Sequence, residues 1–219
     1  GSQIAAATLA ARAGETVVDL CAGAGGKTLA IASQMNNRGR IVACDVNEAR
    51  VKRCAERLRN AGVHNTEVRV LSSESDRWVK RHKLGFDRVL IDAPCSGTGT
   101  WRRNPDARWR ETGEDGLANL VALQARILSS AARLVKPGGR LVYATCSLLL
   151  EENEDQVTAF LAANPAFRLL PLGEAAPELA TKVDGDTLSL TPARHATDGF
   201  FAAVLQREAP VAQPSGDKA

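Results

Sequence analysis

The sequence predicts an α/β fold: a mostly parallel sheet flanked by helices, completed at its C-terminal edge by antiparallel strands. Three observations carry this. Short β-branched runs alternate with helical stretches as far as Ala163, the pattern of strands buried between crossover helices. A glycine-rich turn follows the first run directly, and an acidic residue closes the second. Beyond Ala163, apolar runs are joined by turns instead of helices.

The elements follow in order. Gly1 to Arg12 is small and apolar and suits a helix, which Gly14 ends. Thr16–Leu20 reads as a buried strand and Gly26–Met35 as a helix. Arg40–Cys44 is the second strand. Asn47–Ala61 is the second helix of this alternation, with Asn47 as N-cap and Gly62 as stop. Thr66–Leu71 and Phe86–Ile91 are further strands. A Gly/Pro/Arg-rich loop then runs from Ala93 to about Gly116. Leu117–Val135 is a long helix ended by Pro137-Gly138-Gly139, and Arg140–Thr145 is the fifth strand. Glu151–Ala163 is helical, and Phe167–Leu172, Thr187–Leu190 and Phe200–Gln206 are the edge strands. Glu208–Ala219, with few apolar residues, is expected to be a disordered tail.

With 219 residues, 44% hydrophobic and 24% charged, the chain can bury a full core as one domain. Its net charge of +3 suits an RNA-contacting protein and equally one that never meets nucleic acid. No apolar run reaches the roughly 18 residues a membrane span needs, and no signal peptide is read at the N-terminus. The five cysteines, Cys21, Cys44, Cys54, Cys95 and Cys146, form no C-x-x-C pair. That argues against a disulfide framework or zinc site and for a reducing cytoplasm. His64, His82 and His195 lack neighbours at ligand spacing, so no metal is assigned.

The first strand runs into Asp19-Leu20-Cys21-Ala22-Gly23-Ala24-Gly25-Gly26-Lys27-Thr28. Glycines there let backbone turn sharply and approach a ligand at the carboxyl end of a central strand. A phosphate-binding P-loop needs glycine where Cys21 stands, and a dinucleotide fingerprint needs glycine at Thr28; both patterns fail. A methyltransferase's glycine loop tolerates both departures, because it packs on a methionine moiety and ribose. Asp45, 20 residues after Gly25, closes the second strand, where a carboxylate can accept ribose hydroxyls.

Two cysteines stand at strand ends. The fourth strand leads into Asp92-Ala93-Pro94-Cys95-Ser96-Gly97-Thr98-Gly99, and the fifth ends in Ala144-Thr145-Cys146-Ser147. In a parallel sheet both emerge on the ligand-binding edge. A thiolate adding to carbon 6 of cytosine would make carbon 5 nucleophilic enough to take a methyl group. Cysteine suits this, since its thiolate forms near neutral pH and leaves readily. Asp92 could bond ring nitrogen 3 or the amino group of the base, and Lys27 could orient Asp92. A methyltransferase acting on exocyclic amines needs no such thiol. These residues alone do not rank Cys95 against Cys146.

With these motifs in place, the sequence resembles the RNA cytosine-5 methyltransferases of the Sun/Fmu group from about Gly14 to Arg207. The motifs are Asp19–Thr28, Asp92–Gly99, Thr145–Ser147 with Glu151-Glu152-Asn153-Glu154, and Thr197-Asp198-Gly199-Phe200-Phe201. The resemblance implies a Rossmann-like methyltransferase fold for residues 1–207. It implies S-adenosylmethionine held by Cys21, Ala22, Gly23, Ala24, Gly25, Gly26, Lys27, Asp45 and Asp92. It makes Cys146 the covalent nucleophile and implicates Cys95 in product release. The family places an acid after the third strand to contact adenine, whereas this chain reads Leu71-Ser72-Ser73-Glu74; Ser72, Glu74 or Asp76 is left to serve. The family also carries RNA-binding segments upstream, and a trimmed N-terminus is expected.

The expected partner is RNA, ribosomal RNA by the resemblance, with an unpaired or flipped cytosine. Trp101, Arg102, Arg103, Arg108, Trp109 and Arg110 follow Cys95 within one loop and are the candidate RNA contacts. Arg77–Lys83 reads as a solvated basic helix face. A monomer is expected. Two other classes stay open: a cofactor-binding RNA-interaction module without turnover, and a methyltransferase acting on another RNA base or on tRNA.

Overall fold

The computed structural model describes residues 2–109, 116–180 and 185–209. Helix α1 (Ser2–Ala7) precedes β1 (Thr16–Asp19), α2 (Gly26–Gln34), β2 (Arg40–Asp45), α3 (Glu48–Asn60), β3 (Thr66–Val70), α4 (Arg77–Arg81) and β4 (Phe86–Asp92). Then come α5 (Gly116–Ala132), β5 (Val135–Thr145), α6 (Glu154–Ala163), β6 (Phe167–Leu169), α7 (Leu172–Ala175), α8 (Pro177–Ala180), β7 (Leu188–Leu190), α9 (Pro192–His195) and β8 (Phe200–Arg207). They form an eight-stranded sheet of order β3-β2-β1-β4-β5-β8-β6, with β7 also on β8. Pairing is parallel from β3 to β5 and antiparallel wherever β8 takes part. The expected α/β architecture with an antiparallel C-terminal edge is what the chain forms.

Side-chain alternation explains why both faces of the sheet are covered. Val18, Val89, Ile91, Leu141 and Tyr143 join one apolar cluster with Trp78 of α4 and Ile127 and Leu128 of α5. Their neighbours Val17, Leu90, Val142 and Ala144 join another with Ala5 of α1 and Ile31 of α2. Successive strand residues point to opposite faces, so runs apolar at every position are buried twice. Tyr143 is fully buried, and its hydroxyl donates to the Glu152 carbonyl at 2.7 Å.

Local signals act as expected around α3. Asn47 Oδ1 accepts the Arg50 N–H at 3.0 Å, and Gly62 follows the helix at φ +70°. Elsewhere the structure corrects the expectations. The N-terminal helix ends at Ala7, not Arg12, because Ala10 turns left-handed at φ +48° before Gly14 is reached. Helix α5 ends at Ala132, and Val135 already pairs with Phe86. The Pro137-Gly138-Gly139 breaker therefore lies inside β5, where the register shifts, and does not flank it. Phe167–Leu172 is strand only to Leu169. Pro171 then starts α7, whose Leu172 and Ala175 bury their side chains. Trp78 and Val79 of the basic stretch are core residues, so only part of it is a solvated face. The 93–116 loop contains 3-10 turns at Thr98–Thr100 and Pro105–Trp109. Arg110 and residues 210–219 of the expected tail lie outside the described residues.

Candidate active site

Topology sets the place of the site. After β1 the chain moves outward to β2 and β3, then returns to β4 on the other side of β1. That reversal leaves a crevice at the carboxyl ends of β1 and β4, the usual ligand position in open α/β sheets. A cavity of about 650 Å³ lies there, lined by Cys21, Ala22, Gly23, Ala24, Gly26, Lys27, Asp45, Ser72, Asp92, Cys95 and Cys146, among others. Its size is that of a small-molecule site.

The glycine loop forms the floor. A Cβ on Gly23 or Gly26 would meet no protein atom within 4 Å, so backbone there faces open space. Gly25 does not line the cavity; it packs on α3, where a Cβ would lie 2.6 Å from Cys54 Sγ. Asp45 is buried and holds the loop. Its Oδ2 accepts the Gly23 N–H at 2.9 Å and its Oδ1 the Asn47 N–H at 2.8 Å. Ser72 lines the cavity, with its N–H and Oγ both donating to Asp76 Oδ2. Those bonds hold the Asp76 carboxyl down at about 2. Glu74 pairs with Arg126 at 2.9 Å.

Lys27 and Asp92 meet at 2.5 Å, and the Lys27 side chain is 8% exposed. Lys27 Nζ also donates to Ser2 Oγ at 2.9 Å. The lysine therefore orients Asp92 and does not face solvent. Asp19, at the end of β1, is fully buried; Thr28 Oγ1 donates to its Oδ2 at 2.7 Å. Its Oδ1 has no partner among the described residues, and burial raises the carboxyl to about 7. Sequence reasoning gave Asp19 no role, although its place at the head of the glycine loop was a signal.

The pairing Asp92↔Ala144 between β4 and β5 brings the next residues of each strand side by side. Three residues past Asp92 and two past Ala144, the Cys95 and Cys146 sulfur atoms lie 3.4 Å apart. All five cysteines are free. The hydrogen bond from Cys95 holds the Cys146 thiol below its ordinary value, against burial and the Asp92 charge, with Lys27 also lowering it. The same bond, with burial, drives Cys95 well above. The contact between the two sulfur atoms thus favours the thiolate at Cys146 over that at Cys95, and the thiolate is the reactive form of a cysteine. Burial raises the thiols of Cys21, Cys44 and Cys54, the last to about 11.

The loops carrying the two thiols are bolted together. The Gly99 N–H donates to the Cys146 carbonyl at 2.9 Å and the Gly199 N–H to the Gly99 carbonyl at 2.8 Å. A Cβ on Gly99 would lie 2.5 Å from the Gly199 oxygen, so glycine alone permits this approach. Asp198, buried, pairs with Arg102 at 3.4 Å and with Arg103. The two arginines therefore tie the loop after Cys95 to the segment before β8. Trp109 is 78% exposed and Trp101 39%. The Arg108 guanidinium stands 5.7 Å from the Trp109 ring and 5.8 Å from the Trp101 ring. None of these five side chains lines the cavity. Among the described residues, no cluster of three His, Cys, Asp or Glu side chains is placed to hold a metal ion, and no helix is long and apolar enough to cross a membrane.

A family model described as 16S rRNA methyltransferase RsmB/F matches residues 6–206. A ribosomal RNA small subunit methyltransferase B from Sodalis glossinidius (strain morsitans) is 40% identical over 207 residues, which cover 94% of this chain and 45% of that protein. A solved methyltransferase homolog protein from Pyrococcus horikoshii superposes with a TM-score of 0.75 at 33% identity, covering 94% of this chain and 66% of that one. NSun6 from Pyrococcus horikoshii, solved with SFG, gives a TM-score of 0.78 at 26% identity, covering 95% and 52%. The chain spans about half the length of the curated relatives it matches.

Proposed function

The chain belongs to the 16S rRNA methyltransferase RsmB/F family, a family of S-adenosylmethionine-dependent enzymes, and from that premise we propose that it methylates carbon 5 of a cytosine in ribosomal RNA through a covalent Cys146 adduct. The observation that carries this reading is the pair of sulfur atoms 3.4 Å apart at the wall of the glycine-floored cavity. Methylation of an exocyclic amine gives no use to such a pair.

The cavity fits S-adenosylmethionine by its chemistry. Open backbone at Gly23 and Gly26 admits close packing, Asp45 is held where it can accept ribose hydroxyls, and Ser72, which lines the cavity, can meet the adenine. Bound there, the cofactor supplies an electrophilic methyl group. Cys146 Sγ adds as thiolate to carbon 6 of the cytosine; a C–S bond forms and the ring's C5–C6 electron pair becomes available at carbon 5. Lys27 anchors one oxygen of Asp92, and the other accepts a hydrogen bond from the amino group of the base, or from nitrogen 3 once addition has made it take up a proton. After methylation, carbon 5 gives its proton to solvent water, the C–H electron pair restores the C5–C6 double bond, and the C–S bond breaks to release the Cys146 thiolate. Cys95, in van der Waals reach of that sulfur, serves this release. Residues 1–207 form the catalytic domain, and Trp101, Arg108 and Trp109 meet the RNA by stacking and charge.

The test is methylation of 16S rRNA by this chain with labelled cofactor, followed by nucleoside analysis. The label is expected in 5-methylcytidine. Label in another methylated nucleoside overturns the carbon 5 assignment.

A further inference from the structure

The chain neighbours of each thiol are held by one of two consecutive residues, Glu152 acting on one side directly and on the other through Gln124, and Asn153 on both sides directly. Glu152 is fully buried. Its Oε1 accepts the Ser96 N–H at 2.8 Å and Gln124 Nε2 at 2.9 Å, and its Oε2 accepts Ser96 Oγ at 2.6 Å. Gln124 Nε2 also donates to the Pro94 carbonyl at 2.9 Å. Ser96 and Pro94 are the two chain neighbours of Cys95. Asn153, also buried, bonds both neighbours of Cys146 itself. Its Oδ1 accepts Thr145 Oγ1 at 2.5 Å, and its Nδ2 donates to the Ser147 carbonyl at 3.1 Å. Thr145 and Ser147 are the two chain neighbours of Cys146.

Neither residue lines the cavity, so neither touches substrate. Their partners are donors and acceptors of fixed sense. All three groups on the Glu152 carboxylate donate to it, and Asn153 uses its oxygen toward a hydroxyl and its amide toward a carbonyl. A buried carboxylate without a cation persists only when hydrogen bonds replace its lost hydration. That cost is met here at the loop whose thiol must sit beside another. The Tyr143 hydroxyl, donating to the Glu152 carbonyl at 2.7 Å, fixes the pair to the sheet. We propose that Glu152 and Asn153 are paired positioning residues, a two-armed clamp that sets the separation of the Cys95 and Cys146 sulfur atoms. The clamp gains its purpose from the proposed two-thiol reaction, but its geometry can be measured without it.

Diamide provides the ruler. It takes two hydrogens from two thiols onto its own nitrogens and leaves one S–S bond, which forms only between sulfurs that can meet. The folded chain, without RNA or cofactor, is treated with diamide, and the Cys95–Cys146 linked peptide is followed by mass spectrometry. The variants are Glu152→Gln, which turns one acceptor oxygen toward donors as an amide, and Asn153→Asp, which sets two acceptors against each other at Ser147. Each is expected to slow cross-linking at least about tenfold, since a displacement of about 1 Å between reacting atoms can cost about 10²-fold. Cofactor affinity, read by calorimetry, stays unchanged. A role in stability alone would lower the melting temperature and leave the native cross-linking rate at the wild-type value, and that result overturns the clamp. Should Glu152→Gln fail to bind cofactor, Ser96→Ala, which removes one arm only, decides by the same readout: a slower rate supports the clamp and an unchanged one overturns it. Methylation of the wrong carbon would defeat the proposed function and leave this measurement standing.

Discussion

The half of the cavity at the tips of β1 and β2 is built from backbone, whereas the half at the tips of β4 and β5 is built from side chains. In the first, a glycine loop is tied by its own N–H to Asp45 and opens bare peptide to the ligand. In the second, Asp92, Cys95 and Cys146 face the cavity with the two sulfur atoms in contact, and behind them Ser96, Ser147, Glu152 and Asn153 are joined by hydrogen bonds. The contrast teaches how each half tolerates change. A binding surface of peptide groups loses affinity by degrees, while a site that needs one sulfur beside another fails with one atom.

The sharpest way to break the comparison is Cys146→Ala. Methyl transfer is expected to fall at least about 10³-fold, the scale of losing a nucleophile, with cofactor affinity retained in a calorimetric titration. Next in size is Asp92→Asn, which removes a charge-assisted partner from the base and from Lys27. Single-turnover rates are expected to drop about 10²-fold. Asp45→Asn probes the other half: cofactor binding is expected to weaken about ten- to thirtyfold, as for one charged hydrogen bond, with little change in kcat at saturation.

The smallest effect belongs to a cysteine outside the pair. Cys44, a residue of β2, is fully buried in the core. Cys44→Ala is expected to cost about 1 kcal/mol in urea unfolding, as for the loss of a small buried group, and to leave methylation untouched. An activity loss there matching Cys146→Ala would erase the distinction between the two environments.

What the sequence made legible was local. The Asn47 cap, the glycine loop, Asp45 and both strand-end cysteines lie where spacing alone puts them, because each depends on a strand and the turn after it. What stayed hidden were contacts far apart in the chain. Glu152 reaches Ser96 across 56 positions, and Asp198 reaches Arg102 across 96. In the sequence the first was one acid in a run of six polar residues, Glu151 to Gln156, and the arginines read as free for RNA. The helical turn of α7 was equally hidden, since Leu170 and Leu172 continue the apolar run of β6; in the structure Leu172 and Ala175 are buried in one cluster with Phe200, Ala202 and Val204 of β8. The two thiols were found together but not ranked from their neighbours; their order was what the resemblance implied.

The central claim is that Cys146 bonds to the pyrimidine and that Cys95 acts afterwards. Denaturing electrophoresis of Cys95→Ala, incubated with cofactor and 16S rRNA, tests it most directly. The account predicts a protein–RNA band that survives denaturant and disappears when Cys146→Ala is added to the same chain. A band that persists without Cys146, or undiminished methylation by the Cys146→Ala protein, would contradict it.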